Sequence, residues 1–199
     1  MKLTVAQKMS LLAGSALLGI GLLAGLAQTQ MNKVFDAANY CSINSVPSLV
    51  LLDDLRKNVL RLRLALNRHV LNTDSSRLNE IEAVIKENRQ GSSTAISKYE
   101  SFVTDEKDKT FLSEEKRLYA EYESHIEGIV TASRQNQPEK ARDLTEAAMP
   151  IAEKLAGVIN DHFDFNVEMA RKGADEGAAV KSQALTLSLI DGVEQLEVY

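Results

Sequence analysis

Apolar residues recur through most of this chain at alternating intervals of three and four, and this repeat limits its fold more than any other feature. The repeat is cleanest near the C-terminal end, where it continues for about four heptads through Ala141, Leu144, Ala148, Ile151, Leu155, Val158, His162, Phe165 and Met169. Residues at this spacing share one helix face, and a helix with a long apolar face must pack along other helices. Helix breakers are few, with 10 Gly and 3 Pro in 199 residues.

The same spacing marks three earlier segments, so the sequence predicts four long helices. The first covers residues 29–72 and contains Pro47, which is expected to kink the helix without ending it. At ~1.5 Å per residue this helix is about 65 Å long, and it needs partners along its length to be stable in water.

Turn and capping residues separate the predicted helices. Asp74-Ser75-Ser76 offers N-cap groups for the second helix, and a charged loop at 104–109 precedes a third helix that begins near residues 110–111. Residues 134–137 end the third helix, and Pro138 stands at a favoured first-turn position of the fourth. The sequence therefore predicts an all-α fold, an antiparallel up-down-up-down four-helix bundle.

An uncharged apolar run from Met9 to Ala27 precedes the bundle. Its length of about 19 residues is close to the ~20 that span a bilayer as a helix. Lys2 and Lys8 precede the run and are expected to stay in the cytoplasm, which places the remaining chain on the other side of the membrane. A cleaved signal peptide is the alternative, because Gly25-Leu26-Ala27 offers a small-residue cleavage site. We favour a retained anchor, since the run exceeds a typical signal core.

Composition argues against several classes of function. The net charge of −5 gives no basic patch for nucleic acid, and the single cysteine, Cys41, excludes an intramolecular disulfide and a cysteine-based zinc site. His69, His125 and His162 occupy predicted seams at depths that differ by about 10–30 Å, so they are not expected to share a metal ion. The acidic residues are expected on solvent faces. We therefore predict no enzymatic activity, no metal and no cofactor.

A second apolar strip lies on the face of the first helix opposite its core seam. A helix that is apolar on two faces has a second partner, and the simplest partner is the same helix of another subunit in a two-fold homodimer. The alternative, a membrane-facing strip, would lie ~50 Å from the bilayer. The predicted dimer-interface residues are Val50, Leu60, Leu64 and Leu71.

Arginines flank this strip near the predicted tip of the bundle. Arg56 and Arg63 share one flank, and Arg61 and Arg68 share the other. Guanidinium groups match carboxylates in a bidentate fork, so this cluster predicts a site for a small organic acid. The alternative is that these arginines are solvated or paired with neighbouring acids such as Asp53, Asp54 and Glu80. The predicted ligand-binding set is Arg61, Arg63, Arg68, Arg134, Arg142 and Thr145.

Several of these features also occur together in one family. Residues 1–190 resemble methyl-accepting chemotaxis proteins with a four-helix-bundle sensor domain, through the lysine-bearing N-terminus, the apolar span and the Leu55-Arg56 and Leu60-Arg61-Leu62-Arg63 sequences of a Pro-containing first helix. Tyr119-Ala-Glu-Tyr122 and Asn136-Gln-Pro-Glu-Lys-Ala141 extend the resemblance.

The resemblance implies a receptor for chemotaxis and signal transduction in the bacterial inner membrane. Its expected organisation is a cytoplasmic N-terminus, a transmembrane helix, a periplasmic sensor domain and a C-terminal tail outside the family pattern, at residues 1–8, 9–28, 29–190 and 191–199. Sensor regions of histidine kinases or cyclases, and membrane-anchored bundles without a sensory role, remain alternatives.

In aspartate-sensing members of the family, ligand lies between subunits, near first-helix arginines and a Gln-Pro that opens the fourth helix. Gln137-Pro138 matches that Gln-Pro, but Glu139 stands where the family pattern has a hydroxyl. The resemblance therefore implies a di- or tricarboxylate or an aromatic acid more than aspartate itself. The family also has a second transmembrane helix and a signalling hairpin. Asp191–Tyr199 cannot span a bilayer, so we expect a gene fragment or truncated product.

Overall fold

A computed structural model describes residues 4–72 and 74–196, and within these ranges all regular structure is helical. The five helices are α1 (Val5–Tyr40), α2 (Val46–Leu71), α3 (Ser75–Tyr99), α4 (Glu106–Arg134) and α5 (Pro138–Leu196). One compact unit comprises Ile43–Met169, and the described residues on either side of it form a second unit. The predicted all-α four-helix bundle is confirmed, since α2, α3, α4 and the first part of α5 build the unit of residues 43–169.

The core of the bundle follows the predicted seams. Two clusters of buried side chains fill it, one around Leu52, Leu55, Leu118 and Leu155 and the other around Leu62, Leu66, Ile126 and Ile129, all at most 2 % exposed. Burial of side chains of this size stabilises a fold by roughly 1.5–3 kcal/mol each. Ala38 and Cys41 also stand at seam spacing in the predicted first helix, but their side chains, like those of the predicted tail, lie outside the described side chains.

The predicted first helix is continuous but irregular. A π-helical turn at Cys41–Ser45 joins α1 to α2, and Pro47 is the second residue of α2. Proline has no N–H to donate to the carbonyl one turn earlier, and its ring crowds that carbonyl, so a wider turn just before it relieves the clash. The sequence therefore predicted an irregularity at the correct place, and its form is a π turn.

Two helix starts illustrate how capping decides where a helix begins. Asp74 caps α3 as predicted, because its Oδ1 accepts the Ser76 N–H at 2.9 Å. The predicted start of α4 near residues 110–111 is wrong, since α4 begins at Glu106. Asp105 caps it by accepting the N–H groups of Lys107 and Asp108 at 2.8 and 2.9 Å. The charged stretch that predicted a loop is in fact the capped first turn of α4.

The connection between α4 and α5 is a tight turn with one residue in the left-handed region. Asn136 has a φ of 55°, and its N–H donates to the Ser133 carbonyl while the Gln137 N–H donates to the Ala132 carbonyl, each at 3.0 Å. This is the Schellman arrangement that closes helix ends, and asparagine tolerates the left-handed conformation well. Pro138 then opens α5 as predicted.

Among the described residues, one helical segment is long and apolar enough to cross a membrane. It spans Val5–Asp36, and its most apolar window has a mean hydropathy of 2.0 with none of that window buried. Length and composition alone support this assignment, and they fit both a membrane anchor and a signal sequence.

Candidate functional site

The tip of the bundle is the end where α2 and α4 finish and α3 and α5 begin, and His69 joins three of these helices there. The His69 side chain is fully buried, with Nδ1 2.8 Å from the Ser133 hydroxyl on α4 and Nε2 3.0 Å from Glu82 Oε1 on α3. Ser133 also donates to the His69 carbonyl at 2.8 Å. These contacts join the end of α2 to α3 and α4 at the tip.

Arg134, a predicted ligand-binding residue, is held by acceptors within the tip. Its Nη2 donates to Glu82 Oε2 and to Asn79 Oδ1, both at 2.8 Å, and its Nε donates to Glu82 Oε1. Hydrogen bonding from the Arg134 guanidinium is the main reason why the pKa of the Glu82 carboxyl lies below its usual value. A bidentate pair of this kind occupies the fork that a ligand carboxylate would use.

Arg142 pairs on the surface. It donates to Asp143 at 3.0 Å and approaches Glu146 at 3.8 Å, with its side chain 62 % exposed. Exposed pairs within one helix are weak and are easily exchanged for water or another anion.

We expect Arg134→Ala to lower the melting temperature of the full chain in detergent micelles. The matched substitution Arg142→Ala should leave it nearly unchanged. Arg134 joins α4 to α3 through a half-buried carboxylate, whereas the Arg142 pair joins neighbouring residues of one helix. Circular dichroism melts of both variants measure the difference. An equal loss in the two variants would contradict a tertiary role for the Arg134–Glu82 pair.

The structure brings Arg63 and Thr145 together. Both line a small crevice between α2, α4 and α5, of about 10 Å³, which is room for about one water molecule. Arg63 contacts Met149 Sδ at 3.1 Å and lies 4.0 Å from Glu153, while Thr145 donates to the Ala141 carbonyl of its own helix. Tyr122 forms another wall, and burial raises its pKa to about 12 although Arg63 opposes the rise.

Arg61 and Arg68 differ from the other arginines of the predicted set. Both side chains are exposed on α2, and within the described part of the chain neither makes an ion pair or a hydrogen bond. They lie seven residues apart on one flank of the second apolar strip, as the sequence predicted.

The second apolar strip is exposed along the whole of α2. Val50, Leu60 and Leu64 are 54–55 % exposed and Leu71 is 80 % exposed. The strip also extends beyond the predicted residues. Ile43 and Val46 continue it at the same three-four spacing and are more than half exposed. Positions 53 and 57 of this register hold an ion pair between Asp53 and Lys57. The strip is thus a helical seam without a partner inside the bundle.

A buried polar network at the other end of the bundle was missed. His162 on α5 lies between two carboxylates of α4, with Nε2 2.6 Å from Asp108 Oδ1 and Nδ1 2.9 Å from Glu115 Oε1. All three residues are at most 1 % exposed, which corrects the expectation that the acids lie on solvent faces. Tyr99 donates to Asp108 at 2.8 Å, and Asn166 donates to Tyr99 at 2.8 Å.

The signal for this network was present in the sequence. Asp108 and Glu115 are seven residues apart and continue the three-four spacing of the buried residues Leu112, Tyr119 and Tyr122. Acids on an apolar seam are expensive to bury, so their position predicts a cation or a proton between them. Within the described ranges, no three His, Cys, Asp or Glu side chains converge as ligands of one metal ion.

The geometry defines a class of protein, an all-helical bundle whose chain also has an apolar helix that is long enough to cross a membrane. The model of the family described as a four helix bundle sensory module for signal transduction matches residues 2–180. The chain therefore belongs to this family, a sensory module for signal transduction in receptors of the chemotaxis type. No curated protein and no solved structure matches the chain.

Proposed function

We propose that this sensory module detects a small organic anion at the tip, between two copies of the bundle packed along the second apolar strip. The receptor would sit in a bacterial inner membrane with its bundle in the periplasm, on the side opposite Lys2 and Lys8. The observation that carries the proposal is the pair Arg61 and Arg68. These two guanidinium groups have no partner among the described residues and flank an uncovered apolar strip.

Two guanidinium groups without a partner among the described residues lie on one flank of the strip, on a surface rich in acids. The chain has 28 Asp and Glu against 23 Lys and Arg, and other arginines such as Arg56 on α2 and Arg117 on α4 pair within their own helices. Two-fold packing along the strip brings a second pair of guanidinium groups, from the other copy, to the same interface. Water is displaced from such an interface, and there a charge-assisted hydrogen bond to a carboxylate is roughly twice as strong as a neutral one.

The other predicted residues take different parts in this proposal. Arg63 and Thr145 line a crevice on the opposite flank and can accept one small polar group or a water molecule. Arg142 has only exchangeable surface partners, so it can contribute to attraction of the anion. Arg134 stays with Glu82 and orders the tip. Asp53 pairs with both Lys57 and Arg56, so the charges at the middle of the strip already have partners.

Thermal unfolding of the full chain in detergent micelles tests the ligand class. Succinate, malate, citrate and benzoate are the probes, and a ligand present at ~100 times its Kd stabilises the folded state by about 2.7 kcal/mol. For a chain of this size, that corresponds to a rise in Tm of roughly 5–10 °C. We expect at least one of the acids to raise Tm, and the corresponding amide or alcohol not to do so.

The double substitution Arg61→Ala/Arg68→Ala should abolish the shift, and Arg117→Ala is the matched control. Arg117 is also an exposed arginine, but it lies on α4 and pairs with Glu114 and Glu121. A shift that disappears equally in both variants would reflect general charge screening and would contradict the proposed site. The absence of a shift with every acid would contradict the organic-acid proposal and favour a structural role for the bundle.

A further inference from the structure

The Asp108–His162–Glu115 network lies apart from the tip, and its residues take no part in the proposed anion site. We propose that it is a proton-binding site through which the sensory module responds to pH. The ligand is the proton itself, bound between α4 and α5.

With both carboxylates ionised, the hydrogen bonds require an imidazolium at His162. Its two ring nitrogens each face a carboxylate oxygen, at 2.6 and 2.9 Å. Neutral imidazole donates from only one nitrogen, so its other lone pair would point at an anionic oxygen at hydrogen-bond distance. Protonated His162 donates to both, and the ring also stacks on Phe111, with centroids 5.0 Å apart.

One imidazolium cannot neutralise two buried carboxylates, so the network needs a second proton. Asp108 Oδ1 accepts from both His162 and Tyr99, and its Oδ2 accepts the Thr104 N–H at 3.0 Å, an environment that suits the anion. Glu115 has one acceptor interaction, through Oε1, and its buried Oε2 has no hydrogen-bond partner among the described residues. Glu115 is therefore the residue that holds the second proton, on Oε2, and its Oε1 remains free to accept from the His162 imidazolium.

Among the described residues, the neighbouring helices place no other charged side chain in hydrogen-bond contact with the side chains of Asp108, His162 and Glu115. α3 contributes the Tyr99 hydroxyl, and α2 contributes Ser48, which approaches that hydroxyl. On α5, the neighbour is the neutral amide of Asn166. The Lys107 amine lies at the edge, 4.7 Å from the centre of the Phe165 ring and 6.0 Å from that of Phe111. Loss of one proton thus leaves a net buried negative charge between α4 and α5.

The pKa directions agree with this distribution of protons. Burial pushes the pKa of Asp108 upward, but the hydrogen bonds from His162 and Tyr99 outweigh it and hold that pKa below its usual range. Burial raises the pKa of the Glu115 carboxyl, and His162 offsets only part of the rise. For His162, burial disfavours the charged form, but the hydrogen bonds to both carboxylates prevail and raise its pKa.

These directions fix the sign of the pH response. A raised pKa means that the folded chain keeps a proton that the unfolded chain releases, so this stability is present at low pH and is lost as the pH rises. For Glu115 the loss begins above its ordinary value of 4.5, and for His162 above 6.5. Asp108 acts in the opposite direction, and its contribution is lost only below its ordinary value of 3.8.

NMR of the histidine ring nitrogens, recorded on the full chain in detergent micelles, measures the protonation state of His162 directly. The chain has 3 His, so His69→Gln and His125→Gln variants assign the three ring signals. We expect the His162 ring nitrogens to keep imidazolium chemical shifts above the usual histidine midpoint of about pH 6.5. Neutral-imidazole shifts for His162 at about pH 6 would overturn the proposal.

The second measurement is the pH dependence of Tm for wild type and Glu115→Gln. Glutamine keeps an acceptor oxygen for His162 but cannot lose the proton, so it mimics the protonated acid. We expect the Tm of wild type to fall as the pH rises above about 4.5, where Glu115 begins to contribute, and further above about 6.5, where His162 does, and the fall to be clearly smaller in Glu115→Gln. Each pH unit over which the folded chain holds one extra proton lowers Tm by roughly 3–6 °C.

Glu80→Gln is the matched control, because Glu80 is exposed on α3 and lies outside the network. Its melting curve should keep the wild-type slope. Equal slopes in wild type and Glu115→Gln would overturn the proton site. The organic-acid shift is a separate readout measured at one pH, so failure of the proton site and failure of the anion site are distinguishable.

Discussion

Replacing His162 with leucine is expected to destabilise the bundle by about 3–5 kcal/mol. The side chain is fully buried between Asp108 and Glu115, so its removal leaves at least one buried carboxylate without a cation. Removing one partner of a buried pair has a cost of this size because the remaining charge cannot be solvated. For a chain of this length, the loss corresponds to a fall in Tm of roughly 6–20 °C, measured by circular dichroism on the full chain in detergent micelles.

Two further variants separate charge from packing. His125→Leu removes a half-buried histidine of the neighbouring helix α4 that lies outside the network, and it should change stability by less than about 1 kcal/mol. The triple variant His162→Leu/Asp108→Asn/Glu115→Gln removes both charges together with their partner, and it should recover much of the lost stability. A triple variant as unstable as His162→Leu alone would show that the shape of the ring, stacked on Phe111, matters more than its charge.

The sequence predicted the fold well because the fold depends on a repeat. The three-four spacing specifies which face of each helix is buried, and the residues at Leu52, Leu62 and Leu155 are buried as this spacing requires. Local chemistry located several ends correctly, such as the Asp74 cap and the Pro138 start. The start of α4 was predicted incorrectly because a run of charges was taken for a loop, although Asp105 at its head is a capping residue.

The polar sites were harder to predict because their partners are distant in sequence. Arg134 binds Glu82, 52 residues away, and the expectation of a free guanidinium could not include that partner. His162 meets its two acids 54 and 47 residues away. The sequence predicts which face of its helix each residue occupies. Which residues of two facing seams come into contact depends on how the packed helices are aligned along their axes, and the repeat alone does not determine that alignment.

The second large effect concerns the apolar strip of α2, where we expect a cysteine at position 64 to form a disulfide between two copies. In a Cys41→Ser background, Leu64→Cys places the only thiol of the chain at the centre of the proposed two-fold seam. Leu64 is 54 % exposed in the single bundle, and in the proposed dimer Leu64 of the other copy covers it. Oxidation of the full chain in detergent micelles, followed by non-reducing electrophoresis, measures the product.

Adding Leu60→Glu and Leu71→Glu to this variant should lower the disulfide yield at least about tenfold. These positions flank residue 64 on the same strip, and each glutamate would face its copy in an apolar seam, with like charges together. A loss of only about 1.4 kcal/mol in association free energy gives a tenfold weaker interface, and two desolvated carboxylates per copy exceed that.

The control is Ala120→Cys in the same Cys41→Ser background, because Ala120 is exposed on α4 and lies on no apolar strip. It should form little disulfide under the same oxidation. The disulfide yield at position 64 depends on contact at the strip itself. Association of two chains through the apolar helix α1 alone would not raise the yield at position 64 above that at position 120. Equal yields at positions 64 and 120, or a yield at 64 that survives both glutamates, would contradict packing along the strip. That result would also leave Arg61 and Arg68 without the second copy that the anion site requires.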